Sequence, residues 1–466
     1  MTAPLLTPAP TRPRATPAAT SMLATALFGF AFGGQAVRNL IGWPGFVTVA
    51  VALFAVVLVT LWRHRFVVVT RTPPLSLVAF LVFSALSLLW SQYQWATSIG
   101  LAAQWSTALA GIAVAATLPW PTIVRSLSQA LTGLLAASLA FEAFVSFVLR
   151  RPVAPVYLDL DGSSPGAFWW SENHLLEFGP IQGVVGNRNL LAFLALLALI
   201  VVLTTAIESA RISRFGLALV ALAVVTLVLT RSATVILAAA AVAIVAVVAI
   251  AVRRAPAHHR AAVYGAAIAL LAIAVAFCAT SAHTVLALLG RGDMTGRRTI
   301  WMTVAWLAEQ QPLVGWGWIS YWAPWVPPFN DLIVIDGVEY LQAHNALLDI
   351  WLQLGLVGVA IALVAAVAAT LGTWRMATDP HAIVRTALPA LLLTALLFQS
   401  LTESRLLIEG NWMLFVVLCC IATRRDDLAA GAEATELLRS SHDLDRRSHR
   451  VRERRPLHAL RRRGDS

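Results

Sequence analysis

Apolar residues run along this chain in blocks of roughly twenty, parted by short clusters of Arg, Pro, Gly and acidic residues. A hydrocarbon core of about 30 Å is crossed by that many residues when each rises 1.5 Å in a helix. Each block therefore reads as a spanning helix. The fold class is all-α: a polytopic membrane helical bundle of about twelve transmembrane helices. The blocks fall near 22–38, 43–62, 74–91, 97–118, 125–149, 189–207, 214–230, 232–252, 261–280, 346–371, 386–403 and 411–423. Two long polar stretches interrupt them, at 150–188 and 281–345. Within the second, residues 299–310 carry apolar side chains at helical spacing and Pro312 follows. That predicts a short amphipathic helix on the membrane surface, its N-terminus beside Arg297 and Arg298.

The same pattern sets the domain organisation. Residues 1–20 (Pro, Thr and Ala without a period) read as a disordered N-terminus without a secretory cleavage pattern. Residues 21–423 form the transmembrane domain, and 424–466 a basic tail with a short helix at 433–439. With 59% hydrophobic and 12% charged residues, the chain is no ordinary soluble domain. The formal charge is +11 and every basic residue is Arg. The positives lie in loops between spans and in the tail, which argues against a nucleic-acid partner. With both termini in the cytoplasm, Arg63, Arg65, Arg125, Arg211, Arg214, Arg253, Arg254, Arg260, Arg375, Arg385 and the tail fall inside, and both long loops fall outside. The arginines left outside, among them Arg38, Arg188, Arg231, Arg291, Arg297, Arg298 and Arg405, then need another reason. Cys278, Cys419 and Cys420 lie in apolar runs, with neither metal-ligand spacing nor a disulfide framework.

Candidate chemistry gathers at the outer ends of the spans. The guanidinium forks of Arg297 and Arg298 suit phosphate oxygens and charge growing on a diphosphate leaving group; snorkelling towards lipid headgroups is the plainer use. His344-Asn345 opens the tenth span. A histidine there is placed to take a proton from a sugar hydroxyl, or simply caps the interface. Nine residues on, Gly355-Leu356-Val357-Gly358 would let a neighbouring helix approach closely and fix the span that bears the histidine. Arg188, in Gly186-Asn187-Arg188-Asn189, favours an anion at a helix start, or else Asn187 is an ordinary cap. Arg231 occupies the tight outer turn Thr230-Arg231-Ser232. Glu403 and Arg405 close the eleventh span, paired with each other or with the loop. Asp349 lies a turn inside the tenth, as a functional acid or as a partner for an Arg. Asp161, Glu172 and His174 either touch an acceptor or stay solvated. The pair Asp159 and Asp161 has the spacing of metal–nucleotide sites but lies on the outer side, and no metal ligands are assigned. Trp316, Trp318, Tyr321, Trp322 and Trp325 either stack on sugar faces or form an interfacial belt.

Over roughly residues 180–420, four segments in this order resemble the O-antigen ligase and polymerase superfamily of bacterial membrane glycosyltransferases. Gly186-Asn187-Arg188-Asn189-Leu190-Leu191-Ala192 is similar to its Asn-x-Asn segment. Gly296-Arg297-Arg298-Thr299-Ile300-Trp301 is similar to its Gly-Arg-x-x-Ile-Trp stretch, with Pro312 to Gly317 as the Pro-Leu-x-Gly-x-Gly that follows. His344-Asn345 and Gly355-x-x-Gly358 resemble its ligase-type His motif, and Thr402-Glu403-Ser404 the segment before the last span. One position departs: Ala233 stands where the family often has an outer-turn Arg, with Leu237 as the Leu that follows, and Arg231 is its nearest substitute.

The resemblance implies a donor glycan on a polyprenyl diphosphate such as undecaprenyl diphosphate, and a glycan or lipid acceptor. The place is the outer face of the cytoplasmic (inner) membrane, and no metal, nucleotide or other cofactor takes part. It implies His344 and Arg297 as catalytic residues, and Arg188, Arg231 and Arg298 as holders of the diphosphate. Asn187, Asn345, Asp349, Glu403 and Arg405 stand in support. Two other readings stay open. One is a transporter of small anions such as bicarbonate, which would show broken helices and midplane polar groups; the other is a non-catalytic scaffold.

Overall fold

The structure is a computed structural model that describes residues 18–71, 73–209, 211–280, 295–380 and 384–424. The expected disorder up to residue 17, Arg291 and the tail from 425, with its short helix, lie outside the described residues. Ala18 to Thr20, read as disordered, are already helical.

The apolar blocks are helices, as their length requires. In chain order they are α1 (Ala18–Arg63), α2 (Arg65–Thr70), α3 (Leu75–Leu86), α4 (Gln94–Thr117), α5 (Trp120–Phe144), α6 (Arg188–Ser209), α7 (Arg214–Thr230), α8 (Ala233–Arg254) and α9 (Arg260–Thr280). Beyond the second long loop's first residues come α10 (Thr295–Ala308), α11 (Ala346–Thr378), α12 (Leu388–Ser400) and α13 (Glu409–Ala422). Among the described residues, six helices are long and apolar enough to cross a membrane, and four shorter ones are apolar. α6, α12 and α13 are among the most enclosed, with Leu191 to Ala195 and Val416 to Leu418 fully buried. A two-residue hairpin, β1 (Val334–Ile335) with β2 (Val338–Glu339), departs from the helical expectation. Asp336 and Gly337 turn it with positive φ at both residues, the backbone a type I′ turn needs.

Two helices are broken, and loops repair both. The first two predicted spans follow one another within α1 as two helices that meet at a kink at Gly42 (φ 71°, ψ −179°). There the Val156 amide donates to the Asn39 carbonyl at 3.0 Å. α11 breaks at Gly355, whose φ of 66° and ψ of −173° suit glycine alone. A break strands amides and carbonyls, which cost most at membrane depth unless protein covers them. Residues 312–317 cover them. The amides of Trp316 and Gly317 donate to the carbonyls of Leu352 and Gln353 at 3.0 and 2.9 Å, and those of Leu356 and Val357 donate to Pro312 and Leu313 at 2.8 and 3.2 Å. A Cβ on Gly355 would lie 2.2 Å from the Leu313 carbonyl carbon, and one on Gly315 2.4 Å from that of Gln353. Gly355 therefore meets a re-entering loop rather than a neighbouring helix, which corrects the sequence expectation. Backbone needs the missing side chain as much as a helix does.

The loop continues into the bundle. Gln353 Oε1 accepts from the amides of Ile319 and Ser320 at 2.9 and 3.0 Å. Trp318 is fully buried, edge-on to Phe80 at 6.0 Å, and Trp322 stacks on Phe329 at 5.9 Å. These two tryptophans are core, neither belt nor sugar platform; of the five aromatics only Trp325 is well exposed, at 72%. α10 starts at Thr295, so Arg297 and Arg298 lie within its first turn rather than beside it. Its stripe of Ile300, Val304, Leu307 and Ala308 packs with Trp322, Phe329 and Leu352. The apolar face thus meets protein, not the bilayer surface.

Candidate functional site

α12 ends at Ser400, so Glu403 and Arg405 stand in the link to α13 rather than at the end of a span. The Glu403 side chain is only 4% exposed, yet three elements converge on it. Oε2 lies 3.0 Å from Nδ1 of His344, just ahead of α11. Oε1 accepts from Asn189 Nδ2, in the first turn of α6, at 3.0 Å. The same oxygen lies 3.6 Å from Nη2 of Arg297 in α10. Asn189 Oδ1 in turn accepts from Ser232 Oγ at 2.9 Å. That bond ties the Asn187-Arg188-Asn189 segment to the Thr230-Arg231-Ser232 turn.

Burial alone would push the Glu403 carboxyl up. The His344 hydrogen bond, with the charges of His344, Arg405 and Arg297, outweighs it and holds the group at about 2. A carboxylate only accepts hydrogen bonds, so Nδ1 of His344 carries the hydrogen. A neutral ring then keeps its lone pair on Nε2.

The histidine's backbone is pinned on both sides. His344 has a φ of 50°, sparsely populated for a side-chain-bearing residue. The Ala343 amide donates to Asp349 Oδ2 at 2.9 Å, and its carbonyl accepts from Trp301 Nε1 at 3.1 Å. The Asn345 amide donates to Ser404 Oγ at 3.2 Å, and its Oδ1 caps α11 by accepting from Leu347 and Leu348 at 3.0 and 3.2 Å. The other oxygen of Asp349 accepts from Trp322 Nε1 at 2.8 Å. Asp349 therefore serves an indole and a backbone amide, with Ser404 beside them, and pairs with no Arg among the described residues. Tyr340 stands edge-on to the His344 ring at 5.7 Å.

The remaining expected residues divide clearly. Asn187 Oδ1 accepts from the Leu190 amide at 2.9 Å, an ordinary helix cap. Arg188, Arg231 and Arg298 are exposed and have no side-chain partner among the described residues. Glu403 pairs with the loop residues; Arg405 acts on it through charge, without an ion pair among the described residues. In the first long loop, His174 binds Glu177 at 3.0 Å and Asp161 is engaged by Ser163 and Ser164, so these side chains serve the loop itself. Sequence reasoning placed Asn189 and Ser232 in their motifs without a role at the site, and it missed Tyr340. It also missed buried Glu142, which anchors the loop before Asn187 by accepting from Ser171 Oγ and the amides of Gln182 and Gly183. A second Asn in the first turn of an apolar block was the one available signal.

Residues 217–363 match the family model described as O-antigen ligase. That range holds Arg231, Arg297, Arg298, His344 and the Gly355 break, while Asn189 and Glu403 lie on either side of it. No curated protein matches the chain. Over those residues, on a bundle of apolar helices, the chain is similar to the O-antigen ligase family.

Proposed function

We propose that this protein is a glycosyltransferase of the cytoplasmic (inner) membrane, with about twelve crossings and both termini in the cytoplasm. It moves a glycan from a polyprenyl diphosphate to an acceptor hydroxyl on the outer face. The observation that carries this reading is the single buried carboxylate of Glu403, which joins His344 to Arg297.

In this reaction the acceptor O–H gives its proton to His344 Nε2 as its oxygen bonds to the anomeric carbon. The bond from that carbon to the diphosphate oxygen breaks, and its electron pair leaves with the diphosphate. Glu403 orients the imidazole and stabilises the imidazolium, the part a carboxylate plays beside a catalytic histidine. The leaving group is already a stable anion, so no general acid is needed. Arg297 neutralises the growing charge, with Arg188, Arg231 and Arg298 holding the diphosphate. One displacement inverts the anomeric centre.

Anion transport is the weaker reading. α1 and α11 are broken helices, as a transporter would have. Their breaks are filled by loop backbone, which withdraws the groups that would hold an ion. The family match does not favour transport either.

The test is reconstitution in proteoliposomes with a polyprenyl-diphosphate oligosaccharide. The wild-type protein should release polyprenyl diphosphate as acceptor-linked or lengthened glycan appears. His344→Ala should still fold, with a melting temperature lowered by the lost Glu403 hydrogen bond, and lose about 10²–10⁴-fold in turnover. Absence of transfer by the wild type, with bicarbonate flux in its place, would install the transport reading instead.

A further inference from the structure

Glu142 is a buried acid that the reaction above does not use. It lies near the end of α5, 1% exposed, and no cation pairs with it among the described residues. A buried carboxylate without a cation is costly unless hydrogen bonds satisfy it. Here they do. Oε2 accepts from Ser171 Oγ at 2.7 Å, and Oε1 accepts from the amides of Gln182 and Gly183 at 3.1 and 2.7 Å. About one turn earlier on α5, Ser138 Oγ accepts from the Val184 amide at 3.2 Å. A Cβ on Gly183, whose φ is 60°, would lie 2.6 Å from that of Ser138, so the loop backbone rests directly on α5.

The chain runs from this anchor to the site with little slack. The Gly186 amide donates to the Gly183 carbonyl at 3.1 Å and closes a turn. Asn187 then caps α6, exposed Arg188 follows, and Asn189 donates to Glu403 Oε1. Trp170 braces the turn from the side. Its Nε1 donates to the Val184 carbonyl at 2.9 Å, and its ring stacks on Phe141 of α5 at 4.5 Å. Gln182 is held by its side chain as well, Nε2 donating to Glu172 Oε1 at 2.6 Å. A neutral amide could fill the place of Glu142, but hydrogen bonds to a carboxylate are roughly twice as strong. Such stiffness matters where position does: a misplacement of about 1 Å can cost a reaction about 10²-fold.

Resting on the transferase reading above, we propose that Glu142 is a positioning residue for the transfer. It touches no reacting group. It fixes the start of α6 against α5, so that Asn189 stays on one oxygen of Glu403 while the other orients His344. A helix that carries none of the reacting groups thereby sets the geometry of the dyad.

Two measurements on the full chain test this, hydrogen–deuterium exchange in nanodiscs and transfer in proteoliposomes. Glu142→Gln keeps the shape and loses the charge. Its amides from 182 to 191 should exchange about tenfold faster than those of the wild type, with the rest of the bundle unchanged. Unchanged exchange, or faster exchange confined to 182–184, would limit Glu142 to the loop and overturn the proposal. In transfer, Glu142→Gln and Asn189→Ala should each lower turnover about tenfold or more. The double variant should lose no more than Asn189→Ala alone, because both act through one bond to Glu403. A loss equal to the product of the single losses would mean separate structural effects and would overturn the proposal as well. Ser138→Ala, which removes the acceptor of the Val184 amide, takes the place of Glu142→Gln if that variant does not fold. A wild-type protein without transfer sinks the transferase reading, and exchange then still decides whether Glu142 holds the start of α6.

Discussion

Glu403 is the residue on which the site turns, because its two oxygens face different tasks. One meets His344 and the other Arg297, which in the proposed reaction are the base and the cation that faces the leaving group. Glu403→Gln keeps the shape but loses the charge that favours the imidazolium. Turnover should drop about 10²–10⁴-fold while the donor KM changes little, measured by steady-state transfer in proteoliposomes. Arg297→Ala should cost about 10²–10³-fold in turnover, as removal of one stabilising donor does elsewhere. A larger change in donor KM than in turnover would make Arg297 a binding group only. The carboxyl also predicts a pH dependence. Its folded value of about 2 lies below the ordinary 4.5, so its stabilisation is complete above about 4.5 and fades as pH falls towards 2. Melting temperature in detergent should therefore fall below about pH 4.5, and fall less steeply in Glu403→Gln. His344, Arg297 and Glu403 were legible in the sequence because charges at the outer ends of apolar blocks stand out. Asn189 and Ser232 were not, since an uncharged polar residue at a helix start reads first as a cap.

At the scale of elements, the structure explains a motif that chemistry does not. Pro312 to Gly317 touches no reacting group; it mends the break in α11 and holds Gln353 and its surroundings. The helix that carries His344 at its start is thereby fixed about three turns below. Gly355→Ala combines a backbone region nearly closed to alanine with a Cβ driven into the Leu313 carbonyl. We expect a loss of about 1–3 kcal/mol from strain and a similar amount from overpacking. Thermal melting of the purified variant measures it, and a melting temperature equal to wild type would contradict the account of the break. The positions of the apolar blocks were legible from length alone. The re-entrant loop was not, because Trp316 to Trp322 carries the composition of an interfacial belt. Only the partners in three dimensions, Phe80 and Phe329, show that Trp318 and Trp322 are core.

For the whole molecule, the arrangement divides labour across one end of the bundle. The described helices bury α6 and α13 at the centre, and the starts of α6, α10 and α11 meet there at Glu403. Exposed Arg188, Arg231 and Arg298 flank it without partners among the described residues, so their charges are open to a diphosphate. Alanine at any of the three should raise the donor KM several-fold with little change in turnover, read from donor-concentration series at fixed salt. Equal losses in turnover would instead place that residue at the reacting centre. The proposed reaction is one direct displacement by a hydroxyl that His344 deprotonates. The anomeric configuration of the product, determined by NMR after transfer from a donor of known configuration, tests it most directly. Inversion is the predicted result. Retention would mean a covalent glycosyl intermediate or a second displacement, and would contradict the claim.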